Sequence, residues 1–156
     1  MRDIVGISPV HPALLLVGKI ALAACWAVLA LRLAGVDLLR ITVPPMRWPA
    51  ALATLVCSIA IVAALVHLGE AARVGLPEAG TRLRTSGLYV ASRNPIYTAA
   101  LVGCVTSCLY VPHWLNILCA LATAVIHHRI VLAEERFLAG RFGEEWERYR
   151  ARVRRY

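Results

Sequence analysis

The sequence predicts an all-α integral membrane protein, with about four transmembrane helices and a C-terminal amphipathic helix at the cytosolic interface. Three observations carry that prediction. Hydrophobic residues make up 60% of the 156 positions and the mean hydropathy is +0.67, well above an ordinary soluble domain. Apolar segments of spanning length recur along the chain. From Glu134 onward the pattern turns charged and aromatic. The chain has room for one compact unit, so 1–156 is read as a single domain.

The first two spans, about 13–33 and 49–68, are each long enough to cross roughly 30 Å of hydrocarbon. The third, about 95–111, is shorter and carries Thr98, Cys104, Thr106, Ser107 and Cys108; it crosses with help from its neighbours or forms one arm of a short hairpin. The fourth, about 114–133, follows the break Pro112-His113. Helices are required, because an open sheet leaves backbone groups unsatisfied in lipid. A cleaved leader over the first span is disfavoured despite the lipoprotein-like run Leu22-Ala23-Ala24-Cys25. Arg2 is balanced by Asp3, and Lys19 interrupts the apolar core.

Net charge is +8, from sixteen Arg and one Lys against nine acidic residues. With four spans, thirteen of the arginines fall on the side of the N-terminus, the loop 70–94 and the tail; only Arg32, Arg40 and Arg47 fall on the other. The positive-inside rule then puts both termini in the cytosol. Membrane orientation and anionic headgroups account for the excess charge, and no basic stripe interleaved with aromatics points to nucleic acid. The five cysteines lie in the spans without metal-ligand spacing, and Cys104 and Cys108 read as small packing residues.

In the tail, Trp146, Tyr149 and Val153 share one helical face, Glu144–Arg148 is an i,i+4 pair, and Gly143 ends the preceding helix. The amphipathic pattern suits either a membrane-surface anchor or a lid over an entry.

The chemistry-bearing residues gather on the cytosolic side. Asn94-Pro95 reads as a helix start, with Asn as cap and Pro in the first turn. A helix N-terminus beside Arg93 is a ready site for a carboxylate or phosphate. Tyr97 lies one turn in. Across the membrane hairpin, Glu134 and Glu135 could accept hydrogen bonds from an ammonium group or ribose hydroxyls, or pair with neighbouring arginines. Together these suit a small zwitterionic or cationic cofactor held where bilayer meets cytosol. His127 and His128 cannot point the same way on a helix and no third ligand is specified, so no metal site is expected. Either could act as a general base for a thiol or amine substrate.

Gly87-Leu88-Tyr89, Arg93-Asn94-Pro95-Ile96-Tyr97, Glu134-Glu135 and the ending from Phe142 to Arg155 (Phe-Gly-Glu-Glu-Trp-Glu-Arg-Tyr-Arg-Ala-Arg-Val-Arg-Arg) resemble the isoprenylcysteine carboxyl methyltransferase family. Phospholipid methyltransferases share the broader pattern. The resemblance covers about 67–156 and is nearest the small bacterial members, which implies a bacterial inner membrane. It implies S-adenosylmethionine as cofactor, held within about 83–156 by Thr85, Gly87, Tyr89, Arg93, Asn94, Tyr97, Glu134 and Glu135. The implied acceptor is a hydrophobic or lipid-linked carboxyl, thiol or amine that enters sideways between spans. A carboxylate or thiolate needs no general base.

This chain departs from the family in having Leu88 where members often carry Pro, and Asn94 where many carry His. The second change keeps a cap but removes an acid–base group, and no catalytic residue is named. Two other functions fit the same pattern: an NADPH-dependent reductase related to steroid reductases, and a non-catalytic membrane partner or lipid-binding protein that keeps the fold.

Overall fold

The computed structural model describes residues 11–68 and 83–156, so Arg2, Asp3, Arg73 and Arg82, which enter the charge count, lie outside the described residues. Five helices account for most of what is described: α1 (Pro12–Leu33), α2 (Arg47–Leu68), α3 (Pro95–Tyr110), α4 (Trp114–Phe142) and α5 (Glu144–Arg152). Short 3₁₀ turns precede α2 at Pro44–Met46 and α3 at Gly87–Val90. Among the described residues there is no strand, only an isolated bridge between Ser92 and Arg154.

Helix boundaries follow local chemistry. Proline at the first position opens α1, where the His11 ring accepts the Ala13 amide (3.3 Å). His113 does the same for α4 by accepting the Leu115 amide (3.2 Å). Helix α4 outlasts its apolar run: its 29 residues extend about 43 Å, while that run, interrupted by Arg129, ends at about Ala133. Charge ends a span but not a helix, and what stops α4 is Gly143, at φ +49°. The C-terminal turns of α4 therefore project beyond hydrocarbon.

Three of the helices, α1, α2 and α4, are long and apolar enough to cross a membrane, and α3 is a shorter apolar helix of 16 residues, about 24 Å. Their outward faces carry exposed Leu16, Ile20, Leu52, Val66, Leu118 and Leu121 among others. So much exposed apolar surface is a lipid-facing surface rather than a water-facing one, and the chain is an integral membrane protein.

Helix α3 packs against all three of α1, α2 and α4, leaving one face exposed at Val102, Val105 and Leu109. That placement accounts for its polar side chains: Cys104, Thr106 and Ser107 are buried. Ser107 donates to the Cys25 carbonyl (2.8 Å) and accepts from Asn116 Nδ2 (3.0 Å), which also donates to the Val111 carbonyl (3.0 Å). Polar links of this kind join helices where lipid gives no hydrophobic drive to associate.

Close approach depends on two glycines. A Cβ at Gly103 would strike the indole of Trp26, whose Nε1 donates to the Ala100 carbonyl (3.2 Å), and one at Gly18 would lie 2.7 Å from Ile126. At the end of the bundle away from the site, Leu29, Ala50, Tyr110 and Val111 form a buried apolar cluster. The Val43 amide bonds to the Tyr110 carbonyl there (3.0 Å).

Candidate functional site

The start of α3, the end of α4, the turn Gly87–Val90 and the chain after α5 converge at one end of the bundle. The backbone explains how. The Arg93 amide donates to the Arg154 carbonyl (2.8 Å), and Ser92 Oγ donates to the Arg155 carbonyl (3.1 Å). Residues 153–156 thus form a strap laid along the segment leading into α3.

Helix α5 sets the strap in place. Trp146 and Tyr149 are buried, and their rings meet edge to face at 5.8 Å. The Tyr149 hydroxyl donates to the Tyr89 carbonyl (2.7 Å), and burial pushes that phenol up to about 12 despite nearby Arg93. The Arg93 guanidinium stacks 5.7 Å from the Trp146 ring centroid. The apolar face predicted from the spacing is therefore turned onto the protein itself rather than onto lipid. Val153 lies just past the end of the helix, and Arg148 turns to the Glu144 carbonyl (3.3 Å) in place of an ion pair with its carboxylate.

Glu134 and Glu135 serve different neighbourhoods. Glu135 is buried between two arginines: Arg93 reaches Oε1 through Nε and Nη2 (3.1 and 2.8 Å), while Arg155 Nη2 reaches Oε2 (2.7 Å). Burial lifts the Glu135 carboxyl, but the hydrogen bonds from Arg155 and Arg93 outweigh it and hold the group below the usual carboxylate range. The remaining Arg93 nitrogen, Nη1, donates to the carbonyls of Val153 and Arg150. All of that guanidinium is thus engaged in binding α4 to the strap.

Glu134 faces the other way. Its Oε1 accepts the Tyr97 hydroxyl (3.0 Å), and among the described residues it forms no ion pair. Burial raises its carboxyl, with the Tyr97 bond opposing. Tyr89 is buried close by, its phenol raised by burial and then by the Glu134 charge. The Tyr97 ring also meets the His127 imidazole, centroids 5.6 Å apart. The result is an uncompensated carboxylate flanked by tyrosines, which can receive a cation through charge and ring faces together.

The other residues named from sequence are distributed around these two groups. Asn94 holds the N-cap position without a side-chain cap bond; its Nδ2 donates to the Arg155 carbonyl (3.3 Å), and Ser92 Oγ accepts the Asn94 amide (3.0 Å). Gly87 adopts φ +63°, and its missing side chain leaves room for the His67 ring at the end of α2. Thr85 is exposed just ahead of that turn. Tyr89, Tyr97 and Glu134 come together, and Arg93, Asn94 and Glu135 come together with the strap.

Sequence reasoning gave no role to Arg155, Ser92 or Tyr156, whose hydroxyl meets His128 Nδ1 (2.9 Å). Arg155 is one of eight arginines from residue 129 onward with nothing to distinguish it. Only the position of Ser92, two residues before a helix start, gave a usable signal.

The fold and the site define a membrane-embedded helical protein with a polar cluster, flanked by tyrosines, at one end of its bundle. The family model for phospholipid methyltransferases matches residues 46–145, well over half of the chain, and the chain belongs to that family. It is an integral membrane methyltransferase. The match runs from the start of α2 into α5 and takes in every site residue named from the sequence. It supports neither the reductase nor the non-catalytic reading. No curated protein and no solved structure is similar enough to match the chain.

Proposed function

We propose that the protein transfers a methyl group from S-adenosylmethionine to a hydrophobic or lipid-linked acceptor, in the manner of the isoprenylcysteine-type enzymes it resembles. The observation that carries the cofactor is Glu134: a half-buried carboxylate bonded to Tyr97, with Tyr89 nearby and no cationic partner among the described residues. A partly desolvated charge without a counter-charge is costly, so its presence supports a cationic ligand. The sulfonium and ammonium of the cofactor are such groups.

Bound S-adenosylmethionine would supply an electrophilic methyl group on sulfur. Around it, Glu134 would take the ammonium or the ribose hydroxyls, and Tyr97 and Tyr89 would offer ring faces to the sulfonium. The positive end of the α3 dipole, at Asn94 and Pro95, would suit the carboxylate. Arg93 and Glu135 would serve the site by holding the strap beside it, with Asn94 as a further tie. Thr85 and Gly87 would border its outer edge. Methyl transfer is an in-line displacement, for which fixing the two reactants in contact supplies most of the acceleration. The acceptor would enter sideways from lipid, between spans. The thirteen-to-three division of arginines supports an inner-membrane orientation with both termini in the cytosol, where the cofactor is found.

Calorimetry with S-adenosylhomocysteine on detergent-purified protein tests this reading. Wild type binds, and Glu134→Ala or Tyr97→Phe weakens binding by roughly ten- to a hundredfold, the loss of about 1.5–3 kcal/mol expected of a charge-assisted contact. Unchanged affinity in Glu134→Ala would remove the site.

A further inference from the structure

We infer that His127 is the proton acceptor of the transfer step, a role that an amine or thiol acceptor, with a proton to lose, calls on and a carboxylate does not. The inference rests on the methyltransferase reading above. It starts from a residue that the cofactor does not need.

His127 is 6% exposed and lies inside the apolar part of α4. An ionisable side chain there is expensive, and an apolar residue of similar volume would pack without the desolvation cost. Its ring is fixed on three sides. Nδ1 lies 2.9 Å from the Thr123 carbonyl; a carbonyl only accepts, so Nδ1 carries a proton, and Nε2 is the nitrogen left to take one up. The Tyr97 ring meets it from α3. Helix α1 closes on it at Gly18, where even a Cβ would come within 3.5 Å of Cε1.

Nε2 itself has no hydrogen-bond partner among the described residues, yet no buried side-chain nitrogen or oxygen is left unsatisfied. The atom is therefore open to a surface rather than sealed.

Position completes the inference. His127 and Glu134 are seven residues apart on α4, so they share a face and stand about 10 Å apart along the axis. The Tyr97 side chain spans that interval, touching both. Glu134 and Tyr97 would hold the cofactor at one end of this interval, and His127 would stand at the other, on the side from which a lipid-borne acceptor would come. The acceptor's lone pair then bonds to the methyl carbon, and the methyl–sulfur bond breaks with its electrons left on sulfur. The proton leaves nitrogen or sulfur for Nε2, and the imidazolium returns it to water. His128, by contrast, is turned to the Tyr156 hydroxyl and takes no part.

The test uses the full chain in nanodiscs with nitrogen-15 histidine, saturated with S-adenosylhomocysteine. Dodecylamine, dodecanethiol and dodecanoate are the probes, and His127→Gln assigns the resonance. The expected spectrum has Nδ1 protonated and Nε2 bare, with Nε2 shifting on addition of amine or thiol; whichever shifts it names the acceptor. A protonated Nε2 tautomer, or a response to dodecanoate alone or to no probe, overturns the proposal.

In turnover with the responding probe, His127→Gln lowers kcat about a hundredfold with KM and S-adenosylhomocysteine affinity retained; an unchanged kcat overturns it. Failure of wild type to bind S-adenosylhomocysteine overturns the cofactor reading, an outcome distinct from a bound cofactor with a silent imidazole.

Discussion

Two adjacent glutamates occupy opposite electrostatic situations, and the difference has consequences for pH. Glu135, between Arg93 and Arg155, has its folded carboxyl held below the ordinary value of 4.5. Its contribution is therefore complete above that value and is lost as pH falls through the lower folded one. The strap should loosen on acidification, read as falling hydrogen-exchange protection of the Arg93 amide, which bonds to the Arg154 carbonyl. Glu135→Gln should produce the same loss at neutral pH, costing about 3 kcal/mol, because it leaves one charge-paired arginine 8% exposed without its partner. Protection that is equal in the variant would show that the strap is held by its backbone bonds alone.

The sequence marked the glutamate pair as a unit and could not divide it. A helix turns each successive side chain by about 100°, so neighbours in sequence face different neighbours in space. The partner that claims Glu135 comes from a run of arginines that all look alike.

At the scale of elements, periodicity was informative about which face is buried and silent about what buries it. The Trp146–Tyr149 stripe predicted an amphipathic helix correctly, but an apolar face satisfied by lipid and one satisfied by protein have the same spacing. The third span was likewise read as short and polar. That its Ser107 and Thr106 point inward follows only from α3 packing against all three of the others, a matter of how four helices assemble.

The packing of α3 gives a test of its own. Gly103→Ala puts a methyl group into the Trp26 indole and should separate α1 from α3, lowering the thermal midpoint in detergent by several degrees. Gly140→Ala, with nothing within 4 Å of the added carbon, should instead raise it slightly by improving helix propensity. If both variants melt alike, contact between α1 and α3 is not what limits stability.

For the molecule as a whole, the class was readable because it rests on composition, span lengths and charge distribution, properties that survive any arrangement of the helices. Of the candidate site, Tyr89, Tyr97 and Glu134 were all named from the sequence, and the structure gathers them. For the glutamates the sequence allowed a ligand or neighbouring arginines, and it could not choose; the structure pairs Glu135 with Arg93, whose every nitrogen is engaged by that carboxylate and the strap.

The brevity of α3 has one more consequence. At about 24 Å, α3 falls short of hydrocarbon roughly 30 Å thick, while its three neighbours match or exceed it. Where the outer face of α3 meets lipid, at Val102, Val105 and Leu109, such mismatch would be relieved by thinning the leaflet, which would draw headgroups down toward Tyr97. Reconstituted turnover should then be faster in short-chain than in long-chain phosphatidylcholine, and acyl-chain length becomes a control on the enzyme that operates without any ligand.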